Sequence, residues 1–200
     1  MRLLRAWPDT MDYFEILGVE RKAALGEEEV RGAFQEAGKE AHPDARGGGD
    51  FEKVGEAYGV LRDEGRRLRH LLELEFPGEA FGGSGGMVSG ELLELFGRAG
   101  AVLQAAVEVL KKKREATTAL GKAMLEKEVI TAQQAVQEVG FEIERMLQGE
   151  RGRLGEVDQM LREDRQAALS LGREMVERFG FLTKWQAKVR EQVTAFLVAE

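Results

Sequence analysis

The sequence contains no cysteine among its 200 residues. Disulfides, thiol catalysis and cysteine-ligated zinc or iron–sulfur sites are therefore excluded, and we expect no bound metal and no cofactor. Apolar runs stay well short of the ~18 consecutive residues that a transmembrane helix needs, so we expect neither a membrane span nor a membrane partner. The first ten residues lack the apolar core of a signal peptide, and we expect a cytoplasmic protein.

The chain also lacks an excess of positive charge, since its 29 basic residues are outnumbered by 36 acidic ones, for a net charge of −7. Most of the excess negative charge falls within residues 1–80, which argues against nucleic-acid binding. The basic run Lys111-Lys112-Lys113-Arg114 is predicted to be a solvated helix end, where cations favour the negative end of the helix dipole. With two histidines and no glycine loop followed by Lys-Ser or Lys-Thr, the sequence has no catalytic set, and we expect a protein that is not an enzyme.

Proline is rare, with three in the chain and none after Pro77. Apolar residues recur instead at spacings of three and four, which predicts an all-α protein. In the N-terminal part we predict a helix from Glu27 to Ala41 and a second, continuous amphipathic helix from Phe51 to Leu72. The two form an antiparallel hairpin, and a short helix around Tyr13 covers its open side.

The region after Pro77 opens with a glycine-rich stretch, and Gly82, Gly83, Gly85, Gly86 and Gly90 fall close together. This composition is typical of a linker. The rest of the chain predicts a bundle of three long helices, with a turn at residues 148–152 between the second and the third. The predicted domains are therefore 1–76, a linker at 77–90, and a helical bundle at 91–200.

The tripeptide His42-Pro43-Asp44 stands between the two N-terminal helices. Pro43 cannot continue a helix and shifts His42 toward extended geometry, so we expect an exposed loop at the end of the hairpin. Taken alone, the tripeptide is equally compatible with a simple helix end followed by a turn residue.

The flanking residues make the N-terminal part resemble a J-domain. The resemblance rests on Asp12-Tyr13-Phe14 with Leu17-Gly18, on the tripeptide, and on Glu56-Ala57-Tyr58 with Leu61. It implies binding to a heat-shock ATPase chaperone of the DnaK class and stimulation of its ATPase. In that interpretation Asp44 accepts from cationic groups of the chaperone, Pro43 fixes the loop and His42 contributes a ring contact. Supporting cations are expected at Arg31, Lys39 and Arg46.

Three features resemble the iron–sulfur co-chaperone HscB family more narrowly. They are the longer segment between Leu17-Gly18 and the tripeptide, the sequence Phe34-Gln35-Glu36, and residues 67–74. That family joins a J-domain to a three-helix bundle that binds the scaffold protein IscU. The start of the first bundle helix carries apolar residues on more than one face, and exposed apolar patches often mark partner sites. By resemblance, the expected scaffold-binding residues are Glu91, Leu92, Leu93, Glu94, Phe96 and Phe181, unless the apolar ones are all core.

Three hypotheses follow. The first is an HscB-like co-chaperone that delivers an iron–sulfur scaffold protein to a DnaK-class chaperone. The second is a J-domain protein with a different client. The third is a helical adaptor or dimerisation protein that stimulates no ATPase, which the acidic residues of the helix 27–41 favour.

Overall fold

The computed structural model describes residues 11–41, 51–81 and 90–198. Every regular element in these ranges is an α-helix, which confirms the predicted all-α class. The helices in chain order are α1 (Tyr13–Leu17), α2 (Glu27–Glu40), α3 (Phe51–Leu61), α4 (Glu64–Glu75), α5 (Gly90–Glu115), α6 (Ala119–Glu163) and α7 (Arg165–Val198).

Helix α1 is short because both of its ends are capped. The carboxylate of Asp12 accepts hydrogen bonds from the backbone N–H groups of Phe14 and Glu15. Gly18 then ends the helix with a φ of +66°, a left-handed conformation that glycine adopts without steric cost. Phe14 is fully buried, and α1 packs against α2 and α3 as predicted.

Helices α2 and α3 form the predicted antiparallel hairpin. The rings of Phe34 and Tyr58 stack with their centroids 4.3 Å apart. Nearer the tripeptide, a Cβ built on Gly38 would lie 3.6 Å from Cε2 of Phe51. The apolar face predicted for α2 therefore points at α3.

The prediction of one continuous helix from Phe51 to Leu72 is wrong. Helix α3 ends at Leu61, and α4 begins after Asp63, whose carboxylate accepts from the backbone N–H of Arg66 at 2.8 Å. Arg66 and Arg67 in turn donate to the carbonyl groups of Gly59 and Leu61. Side chains thus satisfy the backbone groups that the break leaves without helical partners.

The turn predicted at 148–152 is also wrong, because α6 runs unbroken through these residues. Glycines at 149 and 152 stay helical, and Glu150 is buried beside Arg178, whose Nε lies 2.5 Å from its carboxylate. The break between α6 and α7 falls at Asp164, whose side chain accepts from the backbone N–H groups of Gln166 and Ala167.

The structure contains two compact units, and their boundaries differ from the domain boundaries predicted from the sequence. The first unit comprises the described residues of 1–84 together with Arg151–Glu177, and the second comprises those of 85–150 and 178–200. The second unit is a three-helix bundle of α5, the first part of α6 and the last part of α7. Its core includes Leu95, Leu110, Val136 and Leu182.

Side chains of α6 and α7 explain why residues 151–177 join the first unit. The carboxylate of Asp158 accepts from the backbone N–H groups of Ala23 and Ala24 at 2.6 and 2.9 Å. Helix α7 approaches Leu72 of α4 so closely that a Cβ on Gly172 would lie 2.7 Å from the leucine side chain. The segment before α2 and the helix α4 are therefore both held by this C-terminal stretch.

Among the helices of the described ranges, none is long and apolar enough to cross a membrane.

Candidate functional site

The exposed surface of α2 carries two of the cations predicted to bind a chaperone. Arg31 is bonded to Glu28, and Nζ of Lys39 lies 2.6 Å from the carboxylate of Glu36. Both cations are well exposed, and both pair with an acid three residues earlier on the same helix. Such exposed pairs contribute about 0–1 kcal/mol, so a partner anion can replace the acid at little cost.

The other four residues of the predicted chaperone-binding set, His42, Pro43, Asp44 and Arg46, lie outside the described residues. The described structure reaches Ala41, which is buried and donates its backbone N–H to Ala37 at 3.0 Å. Helix α2 thus ends immediately before the tripeptide, where Pro43 predicts that it should.

His70 of α4 holds α1 in place beneath the hairpin. Its Nε2 accepts a hydrogen bond from the backbone N–H of Tyr13 at 3.1 Å, and its ring lies against the rings of Tyr13 and Phe14. Burial lowers the pKa of His70, partly opposed by the carboxylates of Asp12 and Glu73. The neutral imidazole is therefore the form that the fold requires, because only that form can accept at Nε2.

Tyr13 also ties α1 to α3. Its hydroxyl donates to the carboxylate of Glu56 at 2.5 Å, and this bond raises the pKa of the phenol. The residues that carry the sequence resemblance at Tyr13 and Glu56 are thus joined directly and fix the position of α1 on the hairpin.

A polar cleft of about 310 Å³ lies at the other end of the hairpin, beside the start of α2. Arg67 reaches it from α4 but is 97% buried, and it donates to the carbonyl groups of Ala23 and Leu61. The remaining lining groups are Leu25, Glu27, Tyr58, Arg62, Asp63 and Glu64. Carboxylates and guanidinium groups of this kind can hold charges in place, but the cleft contains no activated nucleophile.

The start of α5 presents its apolar side chains on two faces, as the sequence indicated. Leu92 is 1% exposed and belongs to the core of the second unit, whereas Leu93 is 59% exposed. Glu91 and Glu94 are exposed on either side of these leucines. Leu93 with its two flanking acids is therefore available to a partner, while Leu92 packs inside.

Phe96 and Phe181 come together across α5 and α7 and are joined by Trp185. We call these three residues the aromatic cluster. The Phe96 centroid lies 5.7 Å from that of Phe181 and 5.4 Å from that of Trp185, with the Trp185 ring nearly parallel. All three are half-buried, so one side of each ring packs inside and the other remains accessible.

Sequence analysis missed Trp185 and Lys188 as members of this surface. Trp185 follows Phe181 by four residues, and this helical spacing is the same for a buried and a half-buried residue. Nζ of Lys188 lies 4.6 Å from the centroid of the Trp185 ring, a cation–π contact. The indole packs beside Gly100, whose Cβ position would lie at an ordinary contact distance of 3.6 Å from the ring edge.

Comparison with known proteins identifies the N-terminal part. Residues 12–70 match the model of the DnaJ domain. The chaperone protein DnaJ of Geobacillus kaustophilus is 38% identical over 79 residues, covering 37% of this chain and 20% of that protein. DnaJ of Ureaplasma parvum is 42% identical over 62 residues, covering 30% of this chain and 16% of that protein. This chain thus spans about a fifth of the length of these relatives.

Among solved structures, the chaperone HscB from Vibrio cholerae superposes with a TM-score of 0.55. The comparison covers 90% of this chain and 96% of that one, at 19% sequence identity, which establishes a likeness of fold. Residues 12–70 therefore form a DnaJ domain, and the chain has an all-α fold like that of HscB.

Proposed function

We propose that this protein is a co-chaperone that stimulates the ATPase of a DnaK-class chaperone and brings an iron–sulfur scaffold protein to it. The observation that carries the proposal is a DnaJ domain in the same chain as a helical bundle with an HscB-like fold. The J-domain accounts for stimulation of the chaperone's ATPase, and the bundle supplies a second surface to which a client binds.

The chaperone contacts His42, Pro43 and Asp44, with Arg31, Lys39 and Arg46 around them. Asp44 accepts charge-assisted hydrogen bonds from cationic groups of the chaperone, and the three basic residues contact its acidic groups. None of these residues acts on a small molecule. The chaperone itself hydrolyses ATP. Its conformational equilibrium shifts because one of its states binds His42, Pro43 and Asp44 more tightly than the other.

The scaffold protein binds the exposed surface formed by Leu93 and the aromatic cluster. Leu93 provides an exposed apolar side chain, the cluster provides accessible ring faces, and Glu91 and Glu94 provide a negative rim. Such an apolar centre with charged surroundings is typical of interface hot spots. Leu92 supports this surface from the core, since its side chain is buried.

Calorimetric titration of the full chain with the scaffold protein from the same source tests this part of the proposal. We expect Leu93→Ala and Phe96→Ala each to weaken binding by more than about 1 kcal/mol, the scale of an interface hot spot. Phe141→Ala is the control, because Phe141 is an exposed apolar residue of the same unit on α6 and belongs neither to the aromatic cluster nor to α5. Absence of binding by a folded chain would leave a J-domain protein with a different client.

The second candidate is a helical adaptor or dimerisation protein that stimulates no ATPase. The acidic character of α2 favours it, since Arg31 and Lys39 are each paired with a carboxylate and Glu27, Glu29 and Glu40 add further negative charge. The two candidates differ in one result: the co-chaperone stimulates ATP hydrolysis through His42, and the adaptor leaves the hydrolysis rate unchanged.

A further inference from the structure

A second exposed surface lies where α5 ends and α6 begins, at the end of α5 opposite to Phe96 of the aromatic cluster. We call residues 111–128 the hairpin tip. It contains the end of α5, the connection at 116–118 and the start of α6, and none of its residues is buried. A helical hairpin without a buried side chain over this length contributes little to the core, so packing alone does not explain its composition.

The hairpin tip projects past the third helix of its unit. Arg98 pairs with Glu142 and Lys112 with Glu128, which sets α5 and α6 antiparallel. Helix α7 also runs antiparallel to α6, with Val189 beside Gly140 and Arg178 beside Glu150. Its last helical residue, Val198, therefore lies near Thr131 of α6, and the part of α6 before Thr131 extends beyond α7.

The hairpin tip is positive in a chain that is otherwise acidic. Six basic and three acidic residues fall within 111–128, whereas the whole chain has a net charge of −7. In the described part of the chain, Lys112 is the one member of the run Lys111-Lys112-Lys113-Arg114 with an ion pair, at 3.7 Å from Glu128. The run lies at the C-terminal end of α5, as predicted, but Lys122 of α6 adds a charge that the dipole of α5 does not account for.

Two large aliphatic side chains protrude among these cations. Leu120 and Met124 are each 73% exposed and lie four residues apart, on one face of the first turns of α6. Lys122 stands between them in sequence and is exposed. Exposed aliphatic residues close in sequence to Lys and Arg are a composition by which peripheral proteins contact an anionic bilayer surface.

We propose that the hairpin tip docks on an anionic lipid surface. Lys111, Lys113, Arg114 and Lys122 contact the phosphate headgroups, and Leu120 and Met124 enter the boundary of the acyl chains. The chain's remaining negative charge opposes this weakly, because charges farther from the bilayer than about 8 Å are screened at physiological salt. This surface contact differs from membrane spanning, and it revises the expectation of no membrane partner, which rested on the length of apolar runs.

Two other occupants fit these observations less well. A nucleic acid would use the cations but would leave Leu120 and Met124 without a role, and the hairpin tip has no aromatic residue on which bases could stack. An acidic protein segment would need a groove for its own apolar residues, whereas Leu120 and Met124 project outward from an exposed hairpin. A bilayer surface requires no concave site.

Co-sedimentation of the full chain with lipid vesicles tests the proposal. The probes are vesicles of phosphatidylcholine mixed with phosphatidylglycerol, and vesicles of phosphatidylcholine alone. We expect binding to the mixed vesicles that weakens with added salt and little binding to the neutral ones. Reversing three charges together, with Lys111→Glu, Lys113→Glu and Arg114→Glu, should weaken binding at least about tenfold.

Replacing Leu120 and Met124 by Gln removes the apolar contact without changing the charge, and we expect binding to fall several-fold. Two matched controls should bind like wild type: Lys184→Glu with Arg190→Glu, which reverses exposed charges of α7, and Phe141→Gln, which removes an exposed apolar residue elsewhere on α6. Circular dichroism verifies that each variant keeps its helix content.

The proposal is overturned if wild type ignores the mixed vesicles or binds both kinds of vesicle equally. It is also overturned if the controls lose as much binding as the hairpin-tip variants. Tighter binding to a duplex oligonucleotide that survives the Gln substitutions would assign the hairpin tip to nucleic acid instead.

Discussion

At the scale of single residues, Arg67 links the segment before α2 to the break between α3 and α4. Its guanidinium donates to the carbonyl of Ala23 at 2.8 Å and to that of Leu61 at 2.6 Å. Burial lowers its pKa, and the carboxylates of Glu64, Asp63 and Asp158 oppose this effect and keep the charge in place.

We expect Arg67→Met to lower the free energy of unfolding by about 3 kcal/mol, because it leaves two buried carbonyl groups without a donor. Urea denaturation followed by circular dichroism measures the change. Arg69→Met is the control, since Arg69 is exposed and pairs with Glu73 on the same helix, and we expect a change of about 0.5 kcal/mol or less. Equal effects of the two substitutions would contradict the role assigned to Arg67.

Because of His70, we expect the folded protein to lose stability in mild acid. The pKa of His70 is lowered in the folded state below its ordinary value of 6.5, chiefly by burial. The unfolded chain therefore takes up a proton first, so the stability from the neutral imidazole is complete above pH 6.5 and falls as the pH drops toward the folded pKa.

Comparing the free energy of unfolding of wild type and His70→Gln between about pH 8 and about pH 5 tests this, over the range in which histidine titrates. Wild type should lose more stability on acidification than the variant, whose side chain does not titrate. Parallel pH profiles would show that His70 does not titrate differently in the folded and unfolded chains.

The sequence placed Arg67 and His70 correctly on a helix but did not indicate that both are buried. Charged and polar residues of a helix are usually exposed, and the acceptors of Arg67 are backbone carbonyl groups that no sequence pattern marks. The predicted roles of His42, Pro43, Asp44 and Arg46 remain predictions.

At the scale of elements, Gly172 of α7 lies directly against α4. A Cβ at this position would lie 2.7 Å from Cδ1 and 3.2 Å from Cγ of Leu72, which is fully buried. Glycine at position 172 therefore permits a close approach of the two helices.

Gly172→Ala should therefore destabilise the protein by about 1–3 kcal/mol through overpacking, although alanine favours a helix. Gly155→Ala is the matched control on α6 of the same unit, because nothing lies near its Cβ position. We expect it to stabilise the protein by up to about 1 kcal/mol. Thermal melts of both variants decide the question, and a stabilising Gly172→Ala would contradict the close contact.

The apolar faces of the helices were easier to predict than their ends. The apolar spacing correctly predicted that α2 packs on one side, where Val30 and Ala41 are buried and Phe34 stacks on Tyr58. The break at Asp63 was missed since the apolar spacing continues through it. The false turn at 148–152 came from reading two glycines as a break, although tertiary packing keeps them helical.

At the scale of the whole molecule, the DnaJ domain is not independent of the C-terminal helices. Residues 151–177 belong to its compact unit, where Asp158 holds Ala23 and Ala24 and α7 covers Leu72. Sequence composition suggested separation at the glycine-rich stretch, because it cannot show that a later segment folds back onto an earlier one.

A fragment of residues 1–84 should accordingly be less stable than the same residues in the full chain. We expect the amides of α4 to lose at least about 2 kcal/mol of protection in the fragment, since it lacks the Asp158 hydrogen bonds and the apolar cover of Leu72. Hydrogen exchange of both proteins measures this directly. Equal protection of Leu68 and Leu71 in the two would show that residues 151–177 do not support the domain.

The central claim, that this protein is a co-chaperone, is tested most directly by single-turnover ATP hydrolysis of the DnaK-class chaperone from the same source. The rate is measured with the chaperone alone, with the full chain, and with His42→Gln. We predict a several-fold increase with the wild-type chain and none with His42→Gln, while circular dichroism shows that the variant keeps its helices. An unchanged rate with the folded wild-type chain would contradict the claim and favour the adaptor.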